Sequence, residues 1–405
     1  MSTGFSAASA ESPARKAKRV FPLLEVQQVQ QHWLRQFESL TDPRGRQGQE
    51  HAFASIVLIT ILATIGGANG WEDIELYGES HQEWLETFLD LRNGVPHADT
   101  YRRVFERINP EALQRCFLAW VNQVIESSGA QVIPVDGKSL KGSYDRERRQ
   151  SALHLVSAWA SEHRLMLAQV KVDSKSNEIT AIPALLKLLD MAGCIITIDA
   201  MGTQTEIAQQ IVDNQADYVL SLKANHPTLY DQVQTWFEAA HATDFAGIEF
   251  SYNRRVESGH HRRENRQIWV VPATAIPGLY QPTAWAGLQS LVMLIRVRHL
   301  WNKTTREVQF YLSSLPVDAL KMAQTIRTHW GIENQLHWVL DVTFGEDACR
   351  IRTAHSPENF ALMRRMAISL LNQETSTKRS LRQKAKRAAM NSNYMLQVLA
   401  TALSQ

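Results

Sequence analysis

The order of strand-like and helix-like segments between residues 131 and 222 limits the fold of this chain more than any other feature. Three apolar β-type runs come first, and then strands alternate with helices. Short turns between the first three runs predict an antiparallel meander, whereas helical connections between the later strands predict parallel pairing. The strands are predicted at 131–135, 153–160, 165–172, 194–198 and 218–222, and the helices at 177–191 and 205–214.

This order is the layout of a ribonuclease-H-like domain, an α/β fold with a mixed sheet. The flanking segments follow other patterns. Residues 23–128 have helical periodicity and predict an all-helical N-terminal domain. Residues 250–315 alternate like strands and are rich in arginine, which predicts a β-rich insertion. The segment 319–372 is helical again, with a break at Gly345.

The length of 405 residues favours two or three domains rather than one. We predict the following segments from the changes in pattern. They are a flexible basic tail at 1–20, a helical N-terminal domain at 21–128 that is a candidate DNA-binding unit, the first part of the ribonuclease-H-like core at 129–228, a helix and β-rich insertion at 229–318, a helical completion of the core at 319–372, and a basic segment at 373–405.

Charge, cysteine spacing and hydropathy restrict the class of protein. The 43 basic and 41 acidic residues nearly cancel, so only local clusters such as 378–387 could neutralise phosphates, and a solvated helix face explains that cluster equally well. Three widely spaced cysteines form no CxxC zinc motif and fit a reducing cytoplasm. The apolar stretch 52–68 is interrupted by polar residues and ends at two glycines, so we predict a buried helix and no membrane partner.

Two aspartates follow apolar strands that are neighbours in the predicted sheet. Asp136 comes after the first strand, in a Val-Asp-Gly-Lys sequence, and Asp199 comes directly after the strand 194–198. A common Asp-Gly turn is an alternative for Asp136 alone. Together, however, two carboxylates at adjacent strand ends repel each other unless a cation lies between them. The pair therefore indicates a divalent metal site.

A polar stripe marks the helical segment after residue 326. His329, Glu333, His337 and Asp341 recur every four residues, and apolar residues lie on either side of them. This pattern predicts a helix that packs beside a site. A satisfied hydrogen-bond network, a solvated face, and a zinc site built from His329, Glu333 and His337 without an identified fourth ligand remain as alternatives.

Several blocks of sequence resemble the H-repeat-associated group of insertion-sequence transposases. The resemblance runs from about residue 30 to 372. It is carried by FESLTDPRGR (37–46), PVDGKSLKGS (134–143), KSNEI (175–179), TIDAMGTQ (197–204), DYVLSLKAN (217–225) and HWGIENQLHWVLD (329–341).

This resemblance implies a DNA transposase with a catalytic and metal-binding triad of Asp136, Asp199 and Glu333 on a ribonuclease-H-like fold. It implies two Mg²⁺ ions, with Mn²⁺ as a substitute, Asp136 bridging both and the other two carboxylates completing one side each. Water would cut the element ends, and the liberated 3′-hydroxyl would join target DNA. The implied partners are double-stranded DNA, as terminal inverted repeats and target, and further copies of the chain in an active homo-oligomer.

The basic residues that such DNA would meet are less well specified by the sequence. Many related transposases surround the glutamate with tyrosine, arginine and lysine, where this chain has Ile326, His329 and Leu340, so Arg327 is the candidate substitute for the arginine. Glu178 and Asp347 are candidates to assist the metal site. The candidate DNA-binding residues are Lys138, Lys141, Lys223, Arg262, Arg263 and Arg327, with a merely solvated surface as the alternative.

Two other functions remain open at this point. A ribonuclease-H-like nuclease would cut DNA without joining it, and a transposase-derived protein that had lost catalysis would only bind DNA.

Overall fold

A computed structural model describes residues 23–45, 49–125, 131–146, 151–173, 176–259 and 262–403. The predicted basic tail at 1–20 lies outside the described residues. The N-terminal part is helical, as the sequence predicted. Its helices are α1 (Leu23–Gln36), α2 (Phe53–Ile65), α3 (Trp71–Ser80), α4 (Gln82–Leu85), α5 (Ala98–Phe105) and α6 (Pro110–Ile125).

Helix α2 is apolar on all sides, and residues 55–65 of it are all buried. It packs against α12 (Ser356–Gln373), another helix that is buried along most of its length. The chain leaves α2 through Gly66 and Gly67, and Gly67 has a φ of +100°, a conformation that glycine adopts at little cost. In the described part of the chain, no helix is both long and apolar enough to cross a membrane.

The sheet has nine strands in the described residues, in the order β3-β2-β1-β4-β5-β9-β8-β7-β6. Strands β1, β2 and β3 form the predicted antiparallel meander, and β4 and β5 continue it with parallel pairing. This is the ribonuclease-H-like arrangement predicted from the segment order. The five strands are β1 (Val132–Leu140), β2 (Leu153–Ala160), β3 (Leu165–Lys171), β4 (Ile195–Ile198) and β5 (Asp217–Leu222), joined after β3 by α7 (Glu178–Leu186) and α8 (Thr205–Asp213).

Strand β1 is longer than predicted, so the expectation that Asp136 stands at the end of its strand is wrong. Pairing with β4 stops at Val135, opposite Ile198, but pairing with β2 continues from Asp136 to Leu140. Asp136 therefore lies inside β1, at the point where one of its two neighbours ends. Apolar periodicity predicts only the part of β1 that lies between two neighbouring strands.

The arginine-rich insertion continues the same sheet. It follows α9 (Pro227–Ala242) and contains β6 (Ser251–Gly259), β7 (Arg262–Pro272), β8 (Ser290–Leu300) and β9 (Thr304–Ser313). Strand β9 pairs antiparallel with β5, from Val219 opposite Ser313 to Leu222 opposite Phe310. The insertion is therefore hydrogen-bonded directly to the core strands.

The segment that carries Glu333 crosses one face of the sheet. Helix α10 (Ala319–His329) begins at Asp318, whose side chain accepts hydrogen bonds from two backbone N–H groups, and packs on β1, β4, β6 and β7. A π-helical turn, Glu333–His337, and α11 (Trp338–Val342) follow. The predicted break at Gly345 is present, with a φ of +59°.

Helix α13 (Leu381–Met390) contains part of the predicted basic cluster 378–387, and α14 (Ser392–Ala400) follows it. Lys384 is buried and donates to the carbonyl of Leu371 at 2.9 Å. Arg387 places its guanidinium 4.2 Å from the centre of the Tyr394 ring. These two side chains thus contribute to packing.

Candidate metal centre

Asp136 and Asp199 meet where β1 and β4 stop pairing. Because Val135 lies opposite Ile198, the next residues on the two parallel strands are Asp136 and Asp199. Both line a cavity of about 170 Å³, together with Glu333 from the helical segment across the sheet. The structure therefore brings all three predicted triad residues to one cavity.

The tightest group of possible metal ligands contains a residue outside that triad. One carboxylate oxygen of Asp136, one of Glu333 and a ring nitrogen of His337 all lie within 4.8 Å of one another. His337 Nδ1 is 3.1 Å from Glu333 Oε2 and 3.6 Å from Asp136 Oδ2. Within the described ranges Asp199 is not a member of this group. It lines the same cavity, and its Oδ1 accepts from the backbone N–H of Met201 at 3.1 Å.

The electrostatics of Asp136 favour a cation at this position. Burial raises the pKa of Asp136 to about 7, against the opposing effect of the Gly137 N–H bond, and the negative charges of Asp199, Glu178 and Glu333 raise it further. A carboxylate that is costly to ionise becomes favourable when a cation neutralises it. The donor set of two or three carboxylates and one imidazole fits a divalent ion.

The two histidines of the polar stripe have different contacts. Burial lowers the pKa of both His329 and His337 to about 4, so both rings are neutral at pH 7. His329 Nδ1 is 2.9 Å from the Thr197 hydroxyl on β4. The structure thus groups His337 with Glu333 and Asp136, and it does not bring His329 into a zinc site with them.

Asp341, the last member of the polar stripe, attaches the helical segment to β1. Lys138 is 9 % exposed, and its Nζ lies 2.8 Å from Asp341 Oδ1 and 3.6 Å from Asp347 Oδ1. Lys141 is exposed and reaches Asp347 Oδ2 at 2.8 Å. Of the two candidate phosphate ligands on β1 and just beyond it, Lys138 therefore points inward to an ion pair and Lys141 outward.

Gly137 lets the carboxylate of Glu178 approach the opposite face of β1. A Cβ atom at Gly137 would lie 2.5 Å from Cδ of Glu178 and 2.7 Å from Nε2 of His154, closer than packed atoms approach. Glu178 Oε1 is 2.7 Å from His154 Nε2, and the Ser139 hydroxyl is 2.7 Å from His154 Nδ1. Sequence reasoning missed His154, since only the register of β1 with β2 places it beside Ser139.

A second cavity, of about 320 Å³, lies between the insertion and α10 and is rich in arginine. Glu333 and Trp330 belong to the walls of both cavities. Several of the arginines are held by carboxylates, as in the 2.7 Å pair of Arg327 with Glu257. The arginines lining this cavity are Arg255, Arg262, Arg266, Arg296, Arg298 and Arg327.

The other predicted DNA-contacting residues are spread around these cavities. Lys223 is exposed and lines the smaller cavity, beside Asp199. Arg262 and Arg263 are exposed at the start of β7, and Arg262 lines the larger cavity. The histidines at 260 and 261, which precede them, lie outside the described residues.

Comparison with known families decides the classification. The family model for the transposase DDE domain matches residues 127–370, and the DDE_Tnp_1-associated model matches residues 34–121. The chain belongs to the DDE transposase family. The matched range of the DDE domain contains the whole sheet and all residues of the candidate metal centre.

Two relatives from Escherichia coli support the same assignment. The chain is 38% identical over 383 residues to the "H repeat-associated putative transposase YhhI" of Escherichia coli (strain K12), with 93% of this chain and 99% of that protein covered. It is 37% identical over 365 residues to the "Putative transposase YncI" of Escherichia coli O157:H7, with coverage of 89% and 93%. Among solved structures, it is similar to the piggyBac transposase synaptic complex with hairpin DNA, at 10% identity, a TM-score of 0.41 and coverage of 98% and 85%.

Proposed function

We propose that this DDE transposase cuts DNA at the ends of a bacterial insertion sequence and joins the liberated 3′-hydroxyl to target DNA. One observation carries the proposal most directly. Asp136 and Glu333 approach each other within 4.8 Å, in a cavity that Asp199 also lines, within a chain of this family.

Asp136, Asp199 and Glu333 are the residues that would hold the metal. Their oxygens are hard ligands, which suits two Mg²⁺ ions with Mn²⁺ as a substitute. A bound divalent ion supplies charge stabilisation for the attacking and leaving oxygens of a phosphodiester. Lys138 and Asp341 keep the Glu333 segment against β1.

The arginine-lined cavity supports double-stranded DNA as the substrate. Arginine and lysine side chains neutralise phosphates, and the walls of this cavity reach Glu333 itself. We propose Lys223, Arg262, Arg263 and Arg327 as phosphate contacts, Lys141 at the edge of β1, and Lys138 as a residue that orders the site. We also propose that the chain is divided into functional segments near residues 128, 228, 318 and 372. The active form would be a homo-oligomer that pairs the two ends of the insertion sequence.

Cleavage and strand transfer with labelled element ends test the proposal. The wild-type chain should nick and join DNA in the presence of Mg²⁺ or Mn²⁺, and Asp136→Asn should lose at least about a hundredfold of both activities. Asp231→Asn, on the exposed side of α9, makes the same chemical change away from the site and should retain activity.

The two alternative functions give different outcomes in the same assay. Cutting without joining would identify a nuclease that lacks strand transfer. DNA binding without metal-stimulated cleavage would identify a protein that has lost catalysis. Full activity of Asp136→Asn would refute the triad.

A further inference from the structure

The ring of His337 lies between two carboxylates of the candidate metal centre. Its Nδ1 is the ring nitrogen that faces both, at 3.1 Å from Glu333 and 3.6 Å from Asp136. We propose that His337 supplies a nitrogen ligand to the metal held by Asp136 and Glu333. The inference rests on the proposed metal-dependent function and adds a residue to it.

A hydrogen-bond role alone accounts poorly for this placement. A single N–H at Nδ1 can serve Glu333, but 3.6 Å to Asp136 is too long for a hydrogen bond. The three atoms instead surround a common centre, since all lie within 4.8 Å of one another. Divalent first-row metals bind carboxylate oxygen and imidazole nitrogen at about 2.0–2.2 Å, so small side-chain adjustments suffice to close such a group around one ion.

The far side of the ring is arranged for a metal ligand. Ligating histidines usually donate their other ring N–H to a carboxylate, a carbonyl or a water, which fixes the tautomer. His337 is 4 % exposed, and its Nε2 is buried without a hydrogen-bond partner in the described structure. Arg365 and Glu346 are both buried close enough for their charges to act on His337, and Glu346 Oε2 likewise lacks a partner among the described residues.

Arg365 forms a buried ion pair with Glu346 close to the His337 ring. The Arg365 Nη1 to Glu346 Oε1 distance is 2.7 Å, and both side chains are completely buried. A buried carboxylate oxygen without a partner costs free energy until it accepts a hydrogen bond. With Nδ1 on the metal, His337 carries its proton on Nε2, which makes that nitrogen a donor in the buried region where Glu346 Oε2 lacks a partner among the described residues.

A nitrogen ligand changes which metal the site prefers. Imidazole raises affinity for Mn²⁺ and later first-row ions more than for Mg²⁺, which prefers oxygen. The ratio of Mn²⁺ to Mg²⁺ affinity should therefore depend on His337. Replacement by glutamine, which offers oxygen in a similar volume, should lower that ratio.

Pulsed electron paramagnetic resonance of Mn²⁺ bound to the full chain tests the inference without reference to activity. The wild-type protein should show ¹⁴N coupling to Mn²⁺, and His299→Ala, which removes an exposed histidine on β8, should keep it. His337→Gln and His337→Ala should lose the coupling and bind Mn²⁺ at least about tenfold more weakly. Removing a residue that only supports a metal ligand already costs about that much affinity, so removing the ligand itself should cost no less.

The wild-type spectrum can refute the role of His337 even if the variants fold poorly. Bound Mn²⁺ without ¹⁴N coupling would overturn the role of His337 and leave the metal-dependent function standing. Coupling that persists in a folded His337→Ala protein would also overturn it. Failure of the wild-type chain to bind Mn²⁺ would instead refute both the ligand and the proposed function.

Discussion

Replacing Asp136 with asparagine is expected to stabilise the metal-free protein at pH 8. Burial and the neighbouring negative charges raise the pKa of Asp136 from 3.8 to about 7 in the folded state. Each pH unit of such a rise corresponds to about 1.4 kcal/mol, so ionising Asp136 at pH 8 costs the fold about 4 kcal/mol. The side chain is 27 % exposed, and we therefore expect roughly 2–4 kcal/mol of the cost to be realised.

The sign of the pH dependence follows from the raised pKa. The protonated form is the one the folded state prefers, so the stability from Asp136 is complete below pH 3.8 and is lost as the pH rises through about 7. Asparagine does not ionise. The advantage of Asp136→Asn over the wild type should therefore grow between pH 5 and pH 8, and should shrink towards acid pH.

Urea denaturation in EDTA at several pH values measures this difference, with Asp231→Asn on α9 as the control. Mn²⁺ should reverse the order at pH 8, since the cation offsets the repulsion only where a carboxylate is present to bind it. A wild-type protein as stable as Asp136→Asn at pH 8 without metal would refute the reasoning. A difference that did not vary with pH would refute it as well.

Four further changes have outcomes that the structure specifies. Gly137→Ala should destabilise the protein by about 1 kcal/mol, measured by urea denaturation, because the added methyl group displaces the Glu178 carboxylate from its hydrogen bond with His154; unchanged stability would contradict this packing. Lys138→Ala should cost about 1–3 kcal/mol, since it removes the ion-pair partner of Asp341 while Lys141 still pairs with Asp347, whereas Lys141→Ala should change stability much less because that lysine is exposed; equal losses in thermal melts would count against the assignment. Arg262→Gln should weaken DNA binding and reduce the salt slope of log K by about 0.9 if it contacts one phosphate, and an unchanged slope in a filter-binding titration would exclude that contact.

The strand and helix order was predictable because short segments with clear periodicity determine it. The antiparallel meander and the two parallel strands follow from local patterns. The proximity of Asp136 and Asp199 was predictable too, since parallel neighbours end at the same edge. Asp136 inside β1 was not, because residues 136–140 pair on one side only and carry polar side chains.

The surroundings of Glu333 could not be derived from helical spacing. A repeat of four residues predicted one stripe with a common role, but the structure gives each member a different partner. His329 contacts Thr197, His337 approaches Asp136, and Asp341 binds Lys138. Which strand lies under each turn depends on how the helix crosses the sheet. That crossing is set by apolar contacts between residues that are far apart in the sequence.

The pairing of β9 with β5 has a mechanical consequence. Backbone hydrogen bonds run without interruption from the strand that ends at Asp199, through β5, into the four strands that present the arginines. A force on the strands of the insertion must distort these backbone hydrogen bonds before it can shift the arginines relative to Asp136 and Asp199. Nucleic acid bound at the proposed arginine contacts would lie on the same sheet as Asp136 and the strand before Asp199, so its phosphates would be positioned with the accuracy of a sheet rather than of a tethered domain.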